Sequence, residues 1–307
     1  MTDTRSDIYT RITNRIIADL KQGVRPWHRP WSVAHAEGRI TRPLRHNGIP
    51  YKGINVVMLW SASVASGYAC PRWLTFKQAL ELGGNVRKGE RGELVVYADR
   101  MTRTDTDAKG EECEREIPFL KGYIVFNAEQ CDGLPAAYYA RPEPPALPPA
   151  ARIEAADRFF AATGADIRHG GTRAYYAEGS DHVQMPPFET FEDAESHAAT
   201  LAHELTHWTK HPTRLARDMG RVKWGDAGYA REELVAEMGA AFLCADLAIT
   251  PDVRDDHAAY IQSWLKVLKE DKRLVFSAAS HAQRATDYLH SLQPVQAANA
   301  EPERAAA

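Results

Sequence analysis

At 307 residues, with 44% apolar and 26% charged side chains, the chain has the composition of a folded globular protein and room for two ordinary domains. No run approaches the roughly 20 apolar residues that cross a bilayer, and Met1-Thr2-Asp3-Thr4-Arg5 lacks the basic-then-apolar pattern of a secretory leader. Cys70, Cys113, Cys131 and Cys244 form no CxxC pair, which argues against a disulfide scaffold and a cysteine-held zinc. The expectation is a reduced, cytoplasmic protein with no membrane partner.

The net charge of −3 hides an asymmetry: residues 1–134 carry 20 Lys and Arg against 16 Asp and Glu, and Arg11–Ala98 carry 14 against 5. A basic first half joined to an acidic remainder suggests a polyanion-binding module attached to one with a different task. The plainer reading is a solvated basic face.

The spacing of Ile8, Ile12, Ile16 and Leu20 predicts an amphipathic helix from about Ile8 to Gln22, closed by Gly23. Glu93–Tyr97 and Tyr123–Phe126 read as strands, and the charged stretch Arg103–Glu116 between them as an exposed hairpin loop. Residues 135–150 include six prolines and read as an extended, semi-rigid connector. Beyond it, Arg152–Ala162 reads as a helix, and residues 174–176 and 182–185 as two short strands. Helices are predicted at about 190–210, 230–247, 255–270 and 272–292, with a frayed tail from Gln293. The predicted class is α+β, in two domains. Residues 1–134 form a small α+β domain, 135–150 a linker, 151–292 a mostly helical domain with a small sheet, and 293–307 a disordered tail.

The chemistry concentrates at His203-Glu204-Leu205-Thr206-His207. Residues four apart share a helical face, so His203 and His207 can present two imidazoles to one metal, and Glu204 stands ready to take a proton from an activated water. Zinc is the expected metal, with manganese the other candidate. His211 continues the series, but positions eight apart lie about 12 Å apart along a helix, too far to share an ion. Lys210 offers no glycine turn to bring it back. Glu233 and Glu237 lie on one otherwise apolar helical face with Ala236, Ala240 and Ala241. Glu233 is assigned as third ligand and Glu237 as hydrogen-bond partner of a ligand histidine, with the reverse as the alternative. His257 and Tyr260 could steady an oxyanion, although a packed His and a core Tyr fit as well. The strand His182–Met185 could receive an extended substrate by β-addition.

In the first half, Arg25, Trp27, Arg29, Trp31, Lys52, Arg72, Trp73, Lys77, Arg87 and Lys88 interleave basic and aromatic groups. That mixture suits single-stranded DNA, which is held by a positive groove and by rings that stack bases. Tyr51, Trp60 and Phe76 belong to the same stretch, and some of its aromatics must be core, with Trp60 and Phe76 the first choices. Neither a helix-turn-helix nor a zinc-finger spacing is evident.

Taken together, Gly48–Asn55, Pro71–Phe76, Val125–Gln130, Met185-Pro186-Pro187, His203–Thr209, Glu232–Glu237 and His257–Ile261 make the chain resemble the ArdC antirestriction proteins of conjugative plasmids and related mobile elements, over nearly its whole ordered length. The resemblance implies an N-terminal single-stranded-DNA-binding domain and a C-terminal zincin-like metallopeptidase domain with a gluzincin-like site. It also implies a role in protecting incoming plasmid DNA from host restriction, with a protein substrate or restriction-system target as the second partner. Two rivals are a DNA-covering shield whose metal is structural and a nuclease. The imidazole-led motif disfavours the nuclease.

Overall fold

The computed structural model describes residues 7–27, 41–106, 112–140, 149–220, 227–249 and 257–294. Helix α1 (Ile8–Lys21) starts where the Asp7 carboxylate accepts the Thr10 N–H at 2.8 Å, satisfying one of the donors left open at a helix start. Strand β1 (Leu44–Arg45) follows, then α2 (Ile54–Ser66), which is apolar almost all round and ends at Gly67 with φ +72°. Strand β2 (Arg72–Thr75) runs into α3 (Phe76–Glu81), where Thr75 and Gln78 bond each other's backbone N–H groups.

β3 (Asn85–Val86) leads to the long hairpin of β4 (Glu93–Thr106) and β5 (Glu112–Asn127), and β6 (Cys131–Asp132) pairs back with β3. The main sheet has the order β1-β2-β5-β4. The expected loop at Arg103–Glu116 is instead mostly strand, paired continuously from Glu93↔Val125 to Thr106↔Glu112. Cross-strand hydrogen bonds satisfy the backbone of this charged stretch as they do that of an apolar strand.

The second half holds α4 (Pro149–Ala162), the strands β7 (Asp166–His169), β8 (Tyr175–Ala177) and β9 (His182–Met185), and helices α5 (Ala194–Trp208), α6 (Ala227–Leu247), α7 (His257–Glu270) and α8 (Leu274–Ser291). The small sheet has the order β7-β9-β8, so β9 is its central strand. With both edges paired, β9 has no free backbone to receive an extended peptide, contrary to expectation.

The two halves share one hydrophobic core. Trp27 meets Trp264 edge-on at 5.3 Å and Trp60 meets Phe242 at 5.9 Å, contacts each worth about 1 kcal/mol beyond their burial. Arg42 makes a two-pronged bond to Asp246, both arms at 2.9 Å, donates to Gln283 at 2.9 Å, and lies over the Phe242 ring. Residues 135–140, the start of the expected connector, are bonded to the first half: Tyr139 donates to the Cys131 carbonyl at 3.0 Å, and Cys70 Sγ reaches the Tyr138 carbonyl at 3.1 Å. Residues 141–148 and 295–307, parts of the expected linker and tail, lie outside the described residues. Among the described residues no helix is long and apolar enough to cross a membrane.

Candidate metal centre and nucleic-acid face

Helix α5 is capped by Asp193, which accepts the Ser196 N–H at 2.7 Å. It passes through the interior, and His203, Glu204 and His207 are all buried. Helix α6 crosses it at the close approach of Gly239 to Thr206, where a Cβ would come within 2.5 Å of Thr206 Cγ2. That crossing sets Glu233 between the two histidines. His203 Nε2 lies 3.5 Å from one Glu233 oxygen and His207 Nε2 lies 3.5 Å from the other. One donor atom from each of the three falls within a 4.8 Å cluster. Tetrahedral donors each about 2.1 Å from an ion stand about 3.4 Å apart, so the trio fits a divalent metal.

Behind the donors lies a set of polar contacts only partly legible in the sequence. His207 Nδ1 is 3.0 Å from Glu232 Oε1, and Arg217 grips both Glu232 oxygens at 2.9 and 2.7 Å. The Arg217 guanidinium, fully enclosed, also donates to Thr209 Oγ1 at 3.0 Å and to the Thr206 carbonyl at 2.9 Å. Glu237 takes the corresponding place behind His203, 3.6 Å from its Nδ1, and Arg25 from the first half stands 3.8 Å from Glu237.

Burial raises the energy of every charge here, and the pairings decide the outcome. For Glu233, burial pushes the pKa up, but the charge of His207 outweighs it and holds the carboxyl well below the usual range. Glu232 is likewise pushed up by burial and brought down further by Arg217 and His207. Burial disfavours the His207 imidazolium, yet Glu233 and Glu232 raise it above the ordinary imidazole value. A cation at these donors takes the place of that proton.

The chain beyond α5 is fastened by Arg214, which donates to Asp181 and Tyr176, bonds the Trp208 carbonyl at 2.7 Å, and lies over the Trp208 ring at 3.9 Å. Asp181 adopts φ +47°, strained for a non-glycine residue and held by these bonds. The Arg214 guanidinium keeps the Asp181 carboxyl down at about 2. His211 lies past the end of α5, its Nδ1 2.7 Å from Thr213 Oγ1.

The other sequence-selected residues are scattered. His257 and Tyr260 start α7, with side chains outside the described residues, as are Arg29 and Trp31. Arg25, Trp27 and Trp73 are buried, so the two indoles offer no open ring face to a base. Arg72 lies over the Tyr138 ring and Lys52 pairs with Asp287. Lys77 pairs with Glu81, Arg87 with Glu90 and Asp132, and Lys88 is exposed. Trp60 is core, but Phe76, expected to join it, is half exposed. Glu232 could have been suspected from its place beside Glu233 on a buried helix. Arg217, in the connection between α5 and α6, gave no such signal.

A buried HExxH helix facing a glutamate on a crossing helix, behind a small sheet, defines a zincin-like metallopeptidase domain. The family model described as a zincin-like metallopeptidase matches residues 154–281, and that of the N-terminal domain of anti-restriction factor ArdC matches residues 6–126. The chain belongs to the ArdC antirestriction family. It is 48% identical to the crystallised antirestriction ArdC protein from the R388 plasmid, covering 94% of this chain and 98% of that one. The TM-score is 0.78 against its metal-free form and 0.75 against its Mn(II)-bound form. It is 44% identical over 295 residues to the protein y4eC of Sinorhizobium fredii strain NBRC 101917 / NGR234, covering 94% of each. It is also 37% identical over 312 residues to the DNA primase TraC of Escherichia coli, covering 96% of this chain and 28% of the primase.

Proposed function

We propose that this protein binds single-stranded DNA through its first half and hydrolyses a peptide bond in a protein target through its second, so protecting incoming DNA from restriction. The observation that carries the hydrolytic reading is the His203–His207–Glu233 donor cluster with Glu204 buried beside it. A divalent cation bound there supplies Lewis acidity that polarises a carbonyl and acidifies water. The imidazole-led donor set suits zinc, and the Mn(II)-bound form of the R388 relative makes manganese the second candidate.

The chain's own groups have separable tasks. Glu204 takes the proton from the attacking water and passes it to the leaving amine. Glu232 accepts from His207 Nδ1, which fixes the tautomer and leaves Nε2 for the cation; Glu237 faces His203 Nδ1 at 3.6 Å, longer than a hydrogen bond, and acts on it through its charge. Arg217 holds Glu232 in place.

Replacing Glu204 by Gln keeps the three donors and removes the base. Bound metal should be unchanged, cleavage should fall by on the order of 10²–10⁴-fold, and protection of plasmid DNA entering a restricting host should be lost. Full protection with normal metal content would show that hydrolysis is not the working step. It would favour a protein that shields DNA by occupying it.

A further inference from the structure

Rows of exposed rings are unusual on a protein surface, and the first half carries one on its hairpin. Register places Val95, Tyr97, Phe119, Lys121, Tyr123 and Val125 on one face of the β4–β5 ribbon, because directly paired residues of antiparallel strands point the same way. Leu94, Val96, Gly122 and Ile124 take the opposite face, which is partly covered: Leu94 and Val96 are half-buried, and Ile124 is exposed. Ile8 of α1 approaches Gly122 closely enough that a Cβ there would lie 3.2 Å from it, and Asn55 of α2 bonds both the N–H and the carbonyl of Val96 at 2.8 Å.

The first face is open around Tyr97, Lys121 and Tyr123. Tyr97 is 48% and Tyr123 44% exposed, and Phe119 is partly exposed with its ring 6.1 Å from that of Tyr97. Tyr97 pairs with Lys121 and so lies diagonal to both Phe119 and Tyr123. The three rings therefore form a zigzag along roughly 13 Å of strand, at about 3.4 Å per residue. Lys121 sits among them, 5.1 Å from the Phe119 ring. Glu93, on the same face, is neutralised by Arg15 of α1.

We propose that Phe119, Tyr97 and Tyr123 are a stacking platform for two or three bases of a single-stranded nucleic acid, with Lys121 taking a phosphate. This rests on the nucleic-acid reading above and replaces Trp27 and Trp73 as its aromatic contacts. Two observations select this occupant over an apolar protein surface. Exposed rings spaced along neighbouring strands of a sheet are how sheet modules receive successive unstacked bases. The charge leans towards a polyanion as well: Lys121 is on the face, Glu93 is paired with Arg15, Asp99 is the acidic residue placed opposite Phe119, and residues 1–134 carry 20 basic against 16 acidic residues. The plain alternative is that the rings only brace the hairpin by cross-strand contact, worth about 0.2–1 kcal/mol a pair.

The test is the anisotropy of a labelled oligothymidine with the full-length chain across a salt series. Tyr97→Ala and Tyr123→Ala should each weaken binding about 5- to 150-fold, the equivalent of 1–3 kcal/mol per stacked base, without changing the salt slope. Lys121→Ala should reduce that slope by about 0.7, one phosphate's share on a single strand. Tyr97→Phe and Tyr123→Phe keep the rings and should bind as the parent does, even where the alanine variants unfold earlier. Parent-like affinity in the Tyr97→Ala/Tyr123→Ala double variant would overturn the platform and leave nucleic-acid binding to another face. So would weakened binding by the phenylalanine variants, or equal losses for a duplex, whose paired bases hide their faces. Failure of the parent to bind oligothymidine at low salt would remove the broader reading as well.

Discussion

Arg217→Met is the sharpest probe of the metal centre, because Arg217 touches no proposed ligand yet everything behind His207 passes through it. Its enclosed guanidinium makes two bonds to Glu232, at 2.9 and 2.7 Å, and one each to Thr209 Oγ1 and the Thr206 carbonyl. Methionine fills most of the volume but leaves the Glu232 carboxylate in the interior without its counter-charge. Breaking a buried pair from one side costs about 3–5 kcal/mol, and freeing the carboxylate that orients a ligand histidine costs about 10- to 100-fold in metal affinity. In Arg217→Met/Glu232→Gln the uncompensated charge is gone and an acceptor for His207 remains. That double variant should therefore be more stable than Arg217→Met alone, a non-additivity of about 1–3 kcal/mol. Urea unfolding at fixed free zinc, with competition against a chromophoric chelator for affinity, measures both effects. An Arg217→Met protein within 1 kcal/mol of the parent, with unchanged zinc affinity, would refute the reasoning.

Two further perturbations address packing and pH. Gly239→Ala places a methyl 2.5 Å from Thr206 Cγ2 and 2.7 Å from its Oγ1. Pushing α5 from α6 should destabilise by about 1–3 kcal/mol and weaken zinc binding; Thr206→Ala should restore part of both in thermal melts and zinc titrations. His281 is half-buried, and burial followed by the charge of Arg284 lowers its pKa from 6.5 to about 4, with Arg217 adding to the shift and Glu232 opposing it. The neutral ring receives the Arg284 Nη2 at 2.8 Å. Because the unfolded chain takes up this proton first, its stabilising contribution is complete above about pH 6.5, falls as the pH drops towards 4, and is flat below. His281→Gln should remove about 1–2 kcal/mol of the stability difference between pH 7 and pH 4.5 in urea titrations, allowing for its partial exposure. An unchanged difference would show that His281 titrates normally in the folded chain.

Much of the fold was legible from periodicity. The isoleucines of α1 and the apolar faces of α5, α6 and α8 announce helices within a few residues of their observed ends. The strand β7 and the helix α2 were missed for opposite reasons. β7 is four residues long and mostly exposed, whereas α2 is apolar on nearly every side and so has no amphipathic signature. The hairpin extension was misread because a run of charged residues lacks the apolar alternation that marks a strand, whereas backbone pairing does not depend on it.

What the sequence determined by itself is the local chemistry. Two histidines four apart with a glutamate beside the first share a helical face by the 3.6-residue repeat alone, and an alternating strand shows which residues share a side. What only the tertiary structure decided is everything that depends on two distant segments meeting. Glu233 between the histidines, Glu232 and Arg217 behind one of them, and Arg25 reaching in from the first half are set by how α5 and α6 cross and by the shared core. The same holds for the aromatics. A tryptophan looks identical in sequence whether its ring faces solvent or, like Trp27 and Trp73, another part of the chain. Burial follows from the whole set of contacts and not from the residue's neighbours in sequence.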